Sequence, residues 1–178
     1  MKIIKDDIEQ DIETINTATI EAIISRDEMQ CAIHQGILDK ENLVMISISE
    51  PIQEGYNDEQ LSDEEVQGFK DSLRVKFWDI EEDFCDYKII SKEIALEIQN
   101  FILNNLQKDP DTRFIVHCRA GVSRSAAVGR AIECLKFFGI GEEAKYNYKT
   151  SFDSEISSHS RYSPNLTVFD AVVKDYNI

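Results

Sequence analysis

The chain has 178 residues, 42% of them hydrophobic, and a formal net charge of −15. That length and apolar content suit one domain with a sizeable core and exclude a disordered chain. The charge argues against nucleic acid or an acidic membrane surface as partner, and against polyanionic substrates such as polyphosphoinositides, although solubility alone also accounts for it.

The opening Met1-Lys2-Ile3-Ile4-Lys5-Asp6-Asp7 has no long apolar run and no small-residue cleavage site. No segment approaches the ~20 apolar residues of a membrane helix. Four cysteines without metal-ligand spacing point to a reducing, cytoplasmic setting.

Residues 1–18 carry Ile4, Ile8, Ile12 and Ile15 at helical spacing, with acidic residues between them. They read as a surface helix or an arm ahead of a single domain over residues 19–178. Thr19 to Ser25 reads as a strand. Arg26 to Ile37 reads as a helix with Met29, Ala32, Ile33 and Ile37 on one face and Gly36 near its end. Leu43 to Ile48 is a second, buried strand. Ile52 to Leu61, with Gly55 and Asn57, is loop. Ser62-Asp63-Glu64-Glu65 has capping-box spacing, and a short helix to Phe69 follows.

Leu73 to Ile80 alternates, sending Leu73, Val75 and Phe77 to the core, and ends in Trp78-Asp79 ahead of the acidic stretch 81–86. Ser91 opens a surface helix with Ile94, Ile98, Phe101, Ile102 and Leu106 as its apolar stripe. Asp109-Pro110-Asp111 is a turn. Residues 141–163 are polar and read as a long loop or a small helix near the mouth of a site. Pro164-Asn165 starts a last helix that packs Val168, Phe169, Val172 and Val173 inward.

Phe114-Ile115-Val116 suits a buried strand. From Ser125 the chain is Ala-rich and apolar, a buried helix running to Phe138, with Gly139 as a left-handed cap. Between strand and helix stand Cys118 and Arg124, with Gly121 midway. A loop in that position turns its backbone N–H groups inward, and the helix N-terminus adds its positive end, so the loop suits an anion. The same surroundings favour the thiolate form of a cysteine, which is the nucleophile. The planar fork of Arg124 matches two oxygens of a tetrahedral oxyanion. The Ser125 hydroxyl is placed to hydrogen-bond the sulfur and help it leave. The best-matched electrophile is a phosphate monoester, giving a cysteinyl-phosphate intermediate.

His117-Cys118-Arg119-Ala120-Gly121-Val122-Ser123-Arg124-Ser125 resembles the H-C-x-x-G-x-x-R-S signature of cysteine-based protein tyrosine phosphatases, of the compact dual-specificity type. The resemblance implies an α/β fold with a central mixed, mostly parallel sheet flanked by helices and a strand–loop–helix at the active site. It implies Cys118 as nucleophile, with Arg119, Ala120, Gly121, Val122, Ser123 and Arg124 around the phosphate and Ser125 assisting. It gives His117 a role in ordering the loop. Asp79, which follows an aromatic at a strand end, is the expected general acid on a movable loop, with Asp83 and Asp86 as alternatives. The chain lacks the proline that large tyrosine phosphatases place between this aromatic and the Asp. Ile46-Ser47-Ile48-Ser49-Glu50-Pro51 resembles the strand and turn near the start of compact bacterial and viral members. The expected partners are a phosphorylated protein or peptide, and phosphate, vanadate or sulfate in the loop; no cofactor or metal is expected, and the chain is expected to be a monomer.

Two other readings start from the same loop. A phosphopeptide-binding pseudophosphatase would use Arg124 without turnover. A rhodanese-type sulfurtransferase also opens with Cys-Arg-x-Gly, but its loop brings the arginine back one residue sooner, where this chain has Ser123.

Overall fold

Stretches rich in Ile, Val and Leu become strands in the computed structural model, which describes residues 2–5, 8–11, 19–51, 60–85, 87–152 and 154–176. In chain order the elements are β1 (Lys2–Lys5), β2 (Ile8–Asp11), β3 (Ile20–Ser25), α1 (Arg26–His34), a 3₁₀ turn (Lys40–Asn42), β4 (Leu43–Ser49) and α2 (Asp63–Val66). There follow β5 (Asp71–Lys76), α3 (Lys92–Lys108), β6 (Arg113–Cys118), α4 (Arg124–Phe137), α5 (Glu142–Ser151), α6 (Glu155–Ser158) and α7 (Leu166–Val172). None of the described helices is long and apolar enough to cross a membrane.

The main sheet has the order β3-β6-β4-β5, and each of its pairings is parallel. Parallel strands need crossovers that return the chain over a face of the sheet, so helices cover both sides. Ser25 pairs with Cys118, Ser47 with His117, and Ser49 with Lys76. The carboxyl ends of the four strands therefore lie along one edge, where open α/β sheets place ligands.

Side chains alternate across the sheet. Phe114, Val116 and Cys118 of β6 face the larger core with Val44, Ile46 and Ile48 of β4. Ile115 faces the smaller one with Ala22, Ile24, Leu43 and Met45, under Met29 of α1 and Leu61. Burial of a side chain the size of Phe114 or Phe169 contributes roughly 1.5–3 kcal/mol. The same alternation sends Cys118 to the α4 side of the sheet. α4 itself is buried around most of its circumference, from Ser125 to Leu135. It approaches β3 so closely that a Cβ on Gly129 would stand 2.6 Å from Ile23 Cδ1.

Helix starts follow the sequence. Ser25 and Glu28 form a capping box on α1, and Ser62 and Glu65 form one on α2. Ser91 caps α3 and Asn165 caps α7.

One expectation is corrected and two open readings are narrowed. Ile4 and Ile8 belong to no helix: β1 and β2 pair antiparallel, with Lys5 opposite Ile8. Isoleucine is β-branched and fits a strand as well as the helical period suggests a helix. Ile12 and Ile15 lie outside the described residues, as does most of the predicted loop at 52–59. α1 stops at His34, because Gly36 turns at φ +64°, and Ile37 is left 45% exposed rather than on the inner face. Residues 141–163 are mostly helix, α5 and α6. Ala144, Tyr148 and Ile156 are buried there, and Phe152 packs against the same core.

Candidate active site

The loop from Cys118 to Arg124 leaves the central strand β6 and enters α4. Gly121 sits at φ +70°, and a Cβ there would stand 2.4 Å from both Ile24 C and Ser25 N. Only glycine lets the loop press against the end of β3 in that conformation. Ser123 stands at the N-cap of α4 but makes no capping bond with its side chain. The first-turn N–H groups of a long, buried helix are thus not taken up by the Ser123 side chain, and helix termini of this kind suit an anion.

Cys118 is 2% exposed. Its Sγ lies 3.2 Å from Ser125 Oγ, within hydrogen-bond range. Arg124 is held in place from two sides. Nη1 donates to Phe77 O at 2.9 Å, and Nη2 meets Glu50 Oε1 at 3.2 Å. Its Nε is buried and makes no hydrogen bond with a described residue. A buried, unpaired guanidinium N–H costs about 1–3 kcal/mol and fits an oxyanion ligand in the loop. Glu50 also lies 3.8 Å from Arg119, whose side chain is half exposed at the rim. Ala120 is exposed, and Val122 and Ser123 are half-buried.

Asp79 lies just past the end of β5, after Phe77, whose N–H bonds to Ser49 O at 3.1 Å. The structure brings Asp79 to the loop: its Oδ1 accepts from Ser123 Oγ at 2.8 Å and from Asn165 Nδ2 at 3.0 Å. Its Oδ2 is 3.9 Å from Arg124 Nε. Asp83 is engaged elsewhere, accepting from the Ile89 N–H at 2.9 Å and lying 3.3 Å from Lys88 Nζ. The Ile89 N–H, followed by Lys88, holds its carboxyl below the usual range. Asp86 lies outside the described residues.

His117 is 2% exposed on the α1 side of the sheet. Burial drives its pKa down to about 4, the Arg26 charge adds to the fall, and the Cys118 backbone opposes it. The ring is therefore neutral at pH 7. Cys134 is buried in α4, where loss of solvent pushes its thiol up to about 11, so it stays protonated and packs as a small apolar residue.

Two contributors were not singled out from the sequence. In the sequence Glu50 reads only as part of a turn, although an acid at the carboxyl end of a strand next to a phosphate-type loop is a signal for an arginine partner. Asn165 reads as a helix start, and its second set of hydrogen bonds depends on tertiary placement.

No family model and no curated protein matches the sequence. Among solved structures, the crystal structure of PTPMT1 aligns over 88% of this chain and 88% of its own, with a TM-score of 0.53 at 16% identity. The chain has a compact dual-specificity-like phosphatase fold. The human tyrosine phosphatase-like serine/threonine/tyrosine-interacting protein aligns over 86% of this chain and 85% of its own, with a TM-score of 0.43 at 18% identity. In this phosphatase fold the edge that carries the strand ends also carries Cys118, Arg124, Glu50 and Asp79.

Proposed function

We propose that the protein is a phosphomonoester hydrolase that removes phosphate from phosphotyrosine in proteins, and from phosphoserine and phosphothreonine where these reach the loop. The observation that carries this reading is the convergence of three groups. A buried cysteine sits 3.2 Å from a serine hydroxyl, an arginine is clamped with one N–H unspent, and a carboxylate lies 3.9 Å from that N–H.

In the first step Cys118 Sγ attacks phosphorus while the bond to the leaving oxygen breaks. Arg124 and the amides of residues 119–124 stabilise the charge on the equatorial oxygens. Asp79 delivers its proton to the departing phenoxide or alkoxide. In the second step water attacks phosphorus, Asp79 takes the proton, and the P–S bond breaks with the electron pair returning to sulfur. Ser125 donates a hydrogen bond to that sulfur as it leaves. His117, neutral and buried, holds the loop and takes no part in proton transfer. Arg119, Ala120, Gly121, Val122 and Ser123 supply the backbone cradle. The chemistry uses no metal or cofactor, works as a monomer, and needs a reducing compartment such as the cytoplasm to keep Cys118 reduced.

Hydrolysis of an aryl phosphate by the purified protein tests the reading. Cys118→Ser is expected to abolish turnover, and Asp79→Ala to slow it by roughly 10²–10⁴-fold. Undiminished turnover in Cys118→Ser ends the proposal. Phosphate or vanadate binding by wild type without hydrolysis would identify a binding module instead. Thiocyanate formed from thiosulfate and cyanide would identify a sulfurtransferase. A panel of phosphotyrosine, phosphoserine and phosphothreonine peptides then ranks the substrates.

A further inference from the structure

The acid loop is expected from sequence to be movable, yet its first residues are tied to the start of α7. Asn165 Nδ2 donates to Asp79 Oδ1 at 3.0 Å and to Ile80 O at 3.2 Å. Thr167 Oγ1 donates to Glu81 O at 3.1 Å. Three consecutive residues, 79 to 81, thus rest on one helix terminus. That terminus is tied in turn to the anion loop, by Ser163 N to Val122 O at 3.1 Å and Asn165 N to Ser123 O at 3.5 Å.

The orientation of the Asn165 amide is fixed independently of Asp79. Asn165 Oδ1 caps α7 by accepting the Val168 N–H at 3.1 Å. A flipped amide would lose the cap and present an oxygen to two acceptors, so Nδ2 is the atom that faces Asp79. Asn165 is 3% exposed, and α7 is anchored beneath it by Val168, Phe169 and Val172. Ser123, from the other side, uses its hydroxyl on Asp79 Oδ1 instead of capping its own helix.

We infer that Ser123 and Asn165 are positioning residues for Asp79: together they occupy Oδ1, so that Oδ2, beside Arg124, is the oxygen that carries and delivers the proton. This rests on the proposed role of Asp79 as general acid. A carboxyl group whose one oxygen accepts two hydrogen bonds carries its proton on the other. Oδ2 is also the oxygen nearer the guanidinium that would grip the phosphoryl group, at 3.9 Å from Nε. The acid is therefore presented by the α7 terminus and the anion loop, with no closing movement of residues 79–81. Alignment of this kind is worth much of the rate, since a misplacement of about 1 Å can cost 10²-fold.

The test compares kcat/KM for aryl phosphates whose leaving phenols range from strongly to weakly acidic. Asn165→Asp keeps the α7 cap, removes the donor to Asp79 and sets a second carboxylate beside it. Ser123→Ala removes the other donor. Each is expected to lose about tenfold or more on phenyl phosphate and little on the most acidic leaving group, which needs no proton. In Asn165→Asp the basic limb of the pH profile is expected to move upward, because a like charge disfavours ionised Asp79. A purely structural role would lower all substrates by one factor and leave the limb in place. Asp79→Asn separates the two levels of the argument. If it leaves the leaving-group dependence unchanged, the general-acid assignment fails. If it steepens that dependence while Asn165→Asp and Ser123→Ala do not, the positioning inference fails alone.

Discussion

Acidification offers a sharp test of how His117 is held. The ring is neutral in the folded protein because burial, with the Arg26 charge adding to it, takes its pKa from 6.5 to about 4. The unfolded chain binds a proton near 6.5, so between the two values it holds more protons than the native state. Stability then falls as pH falls. The contribution is complete above pH 6.5 and is lost on the way down to about 4. A gap of about 2.5 units corresponds to about 3 kcal/mol in all, of which about 2 kcal/mol goes between pH 7 and pH 5. Urea unfolding at pH 7, 6 and 5 measures it, with His117→Asn as reference. The stability of the variant is expected to change by about 2 kcal/mol less across that interval. Equal pH dependence in the two proteins, or an NMR titration of the His117 ring near its ordinary value, would refute the reasoning.

Gly121→Ala places a methyl group 2.4 Å from the Ile24–Ser25 backbone in a positive-φ conformation. It is expected to cost at least about 1 kcal/mol in thermal unfolding and to lower aryl phosphate turnover more than tenfold, because the loop has to leave β3. Glu50→Ala leaves Arg124 Nη2 without its 3.2 Å partner. The loss is expected to be about 1–3 kcal/mol, and saturating vanadate is expected to raise the melting temperature of the variant more than that of wild type, since the oxyanion supplies the missing negative charge. Ser25→Ala removes the side chain that accepts the Glu28 N–H at 3.2 Å. It is expected to destabilise the fold by about 1 kcal/mol on chemical denaturation while leaving the Cys118 chemistry in place.

The strands and long helices could be read from the chain because their patterns are local. Ser91 starts α3, and the helix read from the apolar run after Ser125 to Phe138 ends one residue earlier, at Phe137. The loop between Cys118 and Arg124 was legible for the same reason, since one strand–loop–helix unit carries it. Over residues 141–163 the choice between loop and helix stays open in the sequence because polar residues outnumber apolar ones, although Ala144, Tyr148, Phe152 and Ile156 recur every fourth position, a helical spacing. At residues 2–5 and 8–11 the helical interval of the isoleucines falls on two antiparallel strands, which leaves the arm reading. The partners of Arg124 and Asp79 could not be read. Glu50 is 74 positions from Arg124 and Asn165 is 86 from Asp79. Only the shared sheet edge and the packing of α7 bring them together.

The four parallel strands also define an opposite edge, where the chain re-enters the sheet. There Asp109 accepts the Thr112 N–H at 3.0 Å and pairs with Lys70 at 2.6 Å in an exposed turn ahead of β6. Among the described residues, that end carries none of the groups proposed to touch a substrate. New termini or an inserted reporter between Pro110 and Asp111 would burden only a surface turn. Labels and tethers therefore belong at this pole, with the edge that carries Cys118 and Arg124 left open.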